Sequence, residues 1–138
     1  MFDENPFHVM RLVLQNHAAL WAAQITEVTK PQYAVLAALR SVPDQDQVRL
    51  ALASGTSTPT LTELLGRMER SGLVERDRDP LDSRKRIVRL TEAGTALVDE
   101  VARRVEAVDE ALLGNLDGGE REVLVRHLAA MLGTGGAS

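Results

Sequence analysis

Between Thr58 and Gly94 the chain reads TPTLTELLGRMERSGLVERDRDPLDSRKRIVRLTEAG, and its periodicity changes twice. Few folds accept that sequence of periods. Thr58 suits a helix N-cap, and Pro59 suits the first helical position, where a missing N–H costs nothing. Leu61, Leu64, Leu65 and Met68 recur at helical spacing and predict one apolar face. Ser71-Gly72 predicts the stop, since glycine accepts the left-handed conformation a helix end requires. Leu73 to Arg76 then alternates apolar and charged residues, as a half-buried strand does. Asp79-Pro80-Leu81-Asp82-Ser83 is turn chemistry, and Ile87 to Leu90 reads as a second short strand. Thr91 is placed to cap another helix.

Helix, strand, basic turn, strand, helix is the outline of a winged helix. Charge supports it. From Arg67 to Arg89 there are eight basic and five acidic side chains, a net +3. The other residues carry eight basic and fifteen acidic side chains, so they net −7 within a chain of −4 overall. A concentrated basic segment can bind a polyanion even when the whole chain is acidic.

The run L-V-E-R-D-R-D-P-L-D-S-R-K-R-I-V-R-L-T-E-A-G resembles the wing signature of the MarR family of bacterial transcription regulators: D-x-R, a short strand, then L-T-x-x-G. Here those positions are Asp82, Arg84, Leu90, Thr91 and Gly94. T-L-T-E-L-L-G-R-M-E-R-S-G-L resembles the family's recognition helix, and V-T-K-P-Q-Y-A-V-L-A-A-L its second helix. Two positions depart from the pattern. Ser54 stands where an apolar residue is usual, and its hydroxyl can cap the turn there. Glu63 stands where many relatives have a basic or neutral residue. Its carboxylate either accepts from a cytosine amino group or faces away from the groove.

Length and composition narrow the alternatives. At 138 residues, 44% of them hydrophobic and only 3% aromatic, the chain suits one domain of helices packed through Leu, Val and Ala. The absence of cysteine excludes disulfides and thiolate metal sites. His8, His17 and His127 form no His-x3-His pair, so no metal or cofactor is expected. No G-x-S-x-G, G-x-x-x-x-G-K-[ST] or H-E-x-x-H occurs, which argues against an enzyme. No apolar run approaches ~20 residues, and MFDENPFH is not a secretory signal, so no membrane association and a cytoplasmic location are expected.

The expected architecture is mainly α with a small β wing: a winged helix-turn-helix over 29–91, flanked by dimerisation helices over 1–28 and 92–133, with a flexible tail over 134–138. Asn5-Pro6 opens a first helix to about Ile25, with Phe7, Met10, Val13, Leu14, His17, Leu20 and Trp21 on one face. Leu12, Val9, Ala19 and Ala23 widen that face. Thr29 caps a second helix that ends at Val42-Pro43. A third runs from Asp44 to Ser54, capped by Asp44 or Asp46, with Val48, Leu50, Ala51 and Leu52 inward. Gly55-Thr56-Ser57 is the turn of the helix-turn-helix. After the wing, Glu92 to Leu113 places Leu97, Val101, Val105, Val108 and Leu112 on one side. Gly118-Gly119 precedes a last helix holding Val123, Leu124, Leu128, Met131 and Leu132. The apolar faces of the terminal helices have no local sheet to cover, and a homodimer would bury them. The family resemblance implies the same.

Double-stranded DNA is the expected partner. Ser57, Thr58, Thr60 and Thr62 open the recognition helix, whose N-terminal residues reach base edges and phosphates. Plain capping is the competing role for these hydroxyls. Arg67 either touches DNA or pairs with Glu63 four residues earlier. Arg84 is placed to enter a minor groove, with Asp82 orienting it and Lys85 and Arg86 on phosphates. A protein-interaction module without sequence-specific DNA binding is the alternative, although such a wing has no need of a basic tip. A small aromatic carboxylate is the expected effector of a ligand-responsive repressor. His17 and Trp21 share a helix face, Tyr33 lies on the element that resembles the border of the family's ligand pocket, and Arg40, or Arg11 in a wide cleft, can neutralise the charge. The competing reading makes Trp21 and Tyr33 ordinary core aromatics.

Overall fold

A computed structural model describes residues 4–133, so the expected tail at 134–138 lies outside the described residues. The elements run α1 (Pro6–Gln24), α2 (Lys30–Ser41), β1 (Gln45–Asp46), α3 (Gln47–Ser54), α4 (Thr58–Arg70), β2 (Val74–Arg78), β3 (Arg86–Leu90), α5 (Glu92–Leu113) and α6 (Gly118–Met131). The fold is mostly helical, with a small antiparallel sheet in the order β1-β3-β2. Among the described residues two compact units are present, one of residues 21–105 and one joining 4–20 with 106–133. Helices α1 and α5 contribute to both. No helix among the described residues is long and apolar enough to cross a membrane.

The larger unit is built outward from α2. Thr29 and Gln32 form a reciprocal capping box, with Gln32 N donating to Thr29 Oγ1 at 3.2 Å and Thr29 N to Gln32 Oε1 at 3.0 Å. Val35, Leu36 and Leu39 are buried on one face. The third helix begins later than Asp44. Asp44 takes φ 56°, a left-handed turn, and Gln45-Asp46 pairs with Val88 and Ile87 as a third strand. The buried Gln45 amide donates to Ala38 O at 2.9 Å and Val42 O at 2.8 Å, satisfying carbonyls at the end of α2. Asp46 is therefore the cap of α3, accepting from Arg49 N at 3.0 Å. Leu50 and Ala51 are buried as expected, but Val48 and Leu52 are exposed. An eight-residue helix has a single inward stripe, and those two fall off it.

Gly55, at φ 70°, ends α3. Ser54 Oγ donates to Leu50 O at 2.7 Å and lies 3.3 Å from Thr56 Oγ1, so the polar residue at that departure does bond within the turn. Ser57, not Thr58, caps α4, which shifts Thr58 to the first helical position and Pro59 to the second. Leu61, Leu65 and Met68 enter the core, while Leu64 is only half-buried. The helix closes with Leu73 N donating to Met68 O and Gly72 N to Glu69 O, the double turn of a Schellman stop, with Gly72 at φ 76°. Strands β2 and β3 pair from Val74↔Leu90 to Arg78↔Arg86. Thr91 caps α5, accepting from Gly94 N at 3.0 Å. Its hydroxyl donates to Gly72 O at 2.6 Å, and its N–H to Leu73 O at 3.1 Å. A Cβ on Gly94 would lie 2.1 Å from Leu73 O, which is why the position tolerates only hydrogen. On α5 the buried hydrophobic side chains are Val98, Val101, Val105 and Val108, so Val98 replaces the expected Leu97 at the inner position.

In the same unit, the loop after α1 is pinned from two sides. The buried Trp21 donates its indole N–H to Val28 O at 3.0 Å. Arg104 donates to Gln24 O at 3.0 Å and grips both carboxylate oxygens of Glu27. That hydrogen-bonded guanidinium lowers the Glu27 carboxyl to about 2.

The smaller unit is capped cleanly but leaves much apolar surface outside. Asn5 Oδ1 accepts from Phe7 N at 2.9 Å and His8 N at 3.3 Å, opening α1. Asp117 and Glu120 form a capping box for α6, whose first residue is Gly118 rather than one beyond the glycine pair. Arg121 pairs with Glu110 and donates to Leu113 O at 2.9 Å and Leu116 O at 3.1 Å, fixing the turn between α5 and α6. Phe7, Val9, Leu12, Val13 and Leu14 of α1 are exposed, as are Val123, Leu124, Leu128 and Met131 of α6.

Two outcomes follow for stability. Gly94→Ala should destabilise the fold by ~2–3 kcal/mol in urea unfolding, because the obstructing atom is backbone and cannot rotate away. Glu27 has a folded pKa below its unfolded value of 4.5, so its contribution is present above that value and fades as pH falls toward about 2. Glu27→Gln should lower the melting temperature at neutral pH and flatten its fall between about pH 4.5 and 2.

Candidate nucleic-acid interface

Helix α4 presents its hydroxyls in a defined hydrogen-bonding state. Ser57 Oγ accepts from Thr60 N at 3.4 Å and stands 2.8 Å from Thr60 Oγ1. Thr62 Oγ1 donates to Thr58 O at 3.0 Å and accepts from Gln47 Nε2 at 3.4 Å. The Thr62 proton is thus committed to its own helix, leaving its methyl group and remaining lone pair for any contact. Ser57, Thr58, Thr60 and Thr62 are all exposed. Capping and exposure coexist here: Ser57 does both.

The eight cations of the basic segment divide by partner. Arg67 pairs with Glu63 at 3.2 Å, one helical turn back. Arg76 pairs with Glu69 at 2.9 Å, and its other arm lies 3.5 Å from Gln47 Oε1. Arg89 bridges Asp44 at 3.2 Å and Asp77 at 2.6 Å. These three brace α4 and the sheet. Arg84 is different. Asp82 takes its Nε at 3.1 Å and its other arm at 3.3 Å, yet the Arg84 side chain is 89% exposed. Asp82 also accepts from Arg84 N at 3.1 Å, so one carboxylate sets both the backbone and the guanidinium. The Arg84 guanidinium, then the Arg84 backbone N–H, with Lys85 adding, hold the Asp82 carboxyl below its ordinary range. The turn that carries them is closed by Asp79 N to Lys85 O at 3.0 Å and Leu81 N to Asp79 Oδ1 at 2.8 Å.

Wing and helices meet around one groove. It measures about 480 Å³ and is lined by Asp46, Gln47, Val48 and Arg49 at the start of α3, Thr58 of α4, and Arg84, Lys85 and Arg86. Of the residues expected at the interface, Thr58, Arg84, Lys85 and Arg86 come together there. Thr60, with Glu63 and Arg67, lines a second groove of about 310 Å³ against Thr29 and Pro31. Sequence patterns alone do not point to Gln47 and Arg49. Both lie outside the basic run, and only the approach of α3 to the wing brings them in.

The residues expected to hold an effector are placed as follows. Trp21 and Tyr33 meet edge to face, with ring centroids 5.6 Å apart and planes at 65°. Arg40 is exposed and holds Asp99 through two hydrogen bonds, at 3.0 and 3.3 Å. His17 Nε2 lies 2.7 Å from Asp109 Oδ1.

Comparison with known proteins points to one family. A family model described as MarR family matches residues 28–86. The transcriptional regulator HosA of Escherichia coli O111:H- is 40% identical over 126 residues, covering 91% of this chain and 93% of HosA. A structure of Bordetella bronchiseptica BpsR, concerned with regulation of its DNA binding by 6-hydroxynicotinic acid, superposes with a TM-score of 0.88 at 31% identity over 95% of each chain. A mutant MarR from E. coli, complexed with operator DNA, superposes with a TM-score of 0.80 at 27% identity, covering 90% of this chain and 91% of that one. With the wing signature, the recognition helix and near full-length similarity in agreement, the chain belongs to the MarR family of transcriptional regulators.

Proposed function

We propose that this protein is a homodimeric, sequence-specific DNA-binding repressor that a small aromatic acid releases from its operator. The carrying observation is the shared groove, where the start of the recognition helix and three wing cations face one space. Helix α4 would lie in the major groove and the wing in the minor groove, where Arg84 meets the negative potential. Asp82 holds the exposed Arg84 guanidinium in place before DNA arrives, so less side-chain entropy is lost on binding. The DNA-bound MarR structure and the BpsR structure support this reading by likeness.

The dimer is inferred from apolar exposure. Among the described residues, eleven of the fifteen exposed large hydrophobic side chains lie on α1, on α6 or at Leu132 beside it. A monomer seldom leaves such a concentration in water. A two-fold pairing through these helices would bury it and set two winged helices at neighbouring half-sites.

Trp21, Tyr33 and Arg40, all within residues 21–105, are the residues we assign to the effector. An aromatic acid would stack on the Trp21–Tyr33 pair, with its carboxylate replacing Asp99 on Arg40. That exchange is cheap because the Arg40–Asp99 pair is exposed. BpsR, whose regulator is 6-hydroxynicotinic acid, supports this class of ligand. Release requires the ligand to favour a dimer whose recognition helices no longer match the groove spacing.

Selection from a random duplex pool should yield a site with half-sites about one helical turn apart, ~34–36 Å. Arg84→Ala should then weaken gel-shift affinity ~5–150-fold, corresponding to ~1–3 kcal/mol. Unchanged affinity would remove the wing from the interface. Deleting residues 1–25 should abolish both the sedimenting dimer and DNA binding, since each large apolar side chain withdrawn from water contributes roughly 1.5–3 kcal/mol. Pyridine- and benzoate-type acids should quench the sole tryptophan and release labelled DNA over one concentration range. A full response from Tyr33→Phe with Arg40→Ala would place the effector elsewhere.

A further inference from the structure

We propose that Arg49 is a further DNA-contacting residue, which grips the phosphate backbone of the strand lying between the two DNA grooves. The inference rests on the DNA-binding reading and names a residue that neither the recognition helix nor the wing supplies. In a duplex, adjacent major and minor grooves are separated by one sugar-phosphate strand. A protein that places α4 in one groove and a wing in the other must therefore face that strand with the surface in between. Here that surface is the 480 Å³ groove, with Arg49 on the α3 wall and Lys85 and Arg86 on the wing wall.

The charge of the groove fits this occupant. Its lining holds four cations, Arg49, Arg84, Lys85 and Arg86, against the single carboxylate of Asp46. That carboxylate is engaged in capping α3, through Arg49 N at 3.0 Å. The Arg49 side chain is 81% exposed, and its nearest carboxylate oxygen is 3.8 Å away, beyond hydrogen-bond distance. An exposed pair at that separation is weak and screened by salt, so the guanidinium can turn to a phosphate at little cost. A duplex carries one charge per ~1.7 Å of axis, and a guanidinium matches phosphate oxygens with two parallel bonds. Arg49 is the only groove cation drawn from outside the basic segment, in a remainder of the chain that nets −7. A residue that meets only phosphate strengthens binding to every sequence alike.

The test uses the full-length protein and a duplex selected by the wild type, with a scrambled duplex beside it. Fluorescence anisotropy is measured across a salt series. Arg49→Ala should weaken binding to both duplexes by the same factor, about 3–10-fold at moderate salt. It should also make the slope of log K against log salt shallower by about 0.9, one phosphate contact. Arg49→Lys should restore most of the slope, and Arg49→Glu should lose more affinity than Arg49→Ala. Arg103→Ala, on the exposed side of α5, should leave both quantities unchanged. Wild-type affinity and slope in Arg49→Ala would overturn the assignment, as would a loss confined to the selected duplex. If selection from a random pool with the wild type enriches no duplex, the DNA-binding reading fails and this inference falls with it.

Discussion

The wing depends on the junction where its two ends meet. The chain leaves α4 through Gly72-Leu73 and returns through Thr91, whose hydroxyl and N–H donate to the carbonyls of those two residues. Gly94 lets the first turn of α5 press against Leu73 O with no side chain between. Three otherwise orphaned groups are satisfied at once: two carbonyls after a helix stop and one N–H at a helix start. The β2–β3 ladder begins from this closure, with Val74 opposite Leu90. The tip, and Arg84 with it, is carried at the far end of a ladder whose base cannot spread.

Ion pairs in the basic segment do two kinds of work. Arg76 and Arg89 join strands to α4, to Asp44 and to each other's neighbours, and their side chains are partly covered. Among the described residues Arg84 pairs with Asp82 and stands out in solvent. The first arrangement stabilises the scaffold through fixed geometry. The second orients a cation without neutralising its approach to a polyanion, because an exposed pair is only weakly attractive in water. A basic run therefore holds both bracing pairs and an exposed cation, and the partner of each guanidinium distinguishes the two.

Apolar surface is distributed just as unevenly. Residues 21–105 bury a continuous set of side chains from Trp21 through Leu36, Leu50, Leu61, Leu65 and Val88 to Val101. Helix α6 buries none of its residues within the chain. Good capping at Asp117 and the Arg121 clasp form that helix locally, but its stripe of Val123, Leu124 and Leu128 stays in water. Local signals can thus specify a helix completely while its packing requires another surface, which is the physical basis for the proposed dimer.

The amino-acid sequence by itself determined the elements whose signals are local. Helix α2 from Thr29, the stop at Ser71-Gly72, the wing from its alternation and turn residues, and α5 from Thr91 to Leu113 follow from caps, glycines and periodicity within a few residues. The spacing of Asp82, Arg84, Thr91 and Gly94 made the family legible as well. Only the tertiary structure decided the rest. Strand β1 exists because Gln45 and Asp46 meet β3 more than forty residues later, and an isolated Gln-Asp carries no strand signal. The outward position of Val48 and Leu52 depends on which stripe of a two-turn helix the neighbouring helices cover. The partners of Arg76 and Arg89, and the entry of Gln47 and Arg49 into the wing groove, arise from residues distant in the chain. Caps and turns act over a few residues and can be read in order, whereas strand pairing, burial and charge pairing depend on what the folded chain places opposite.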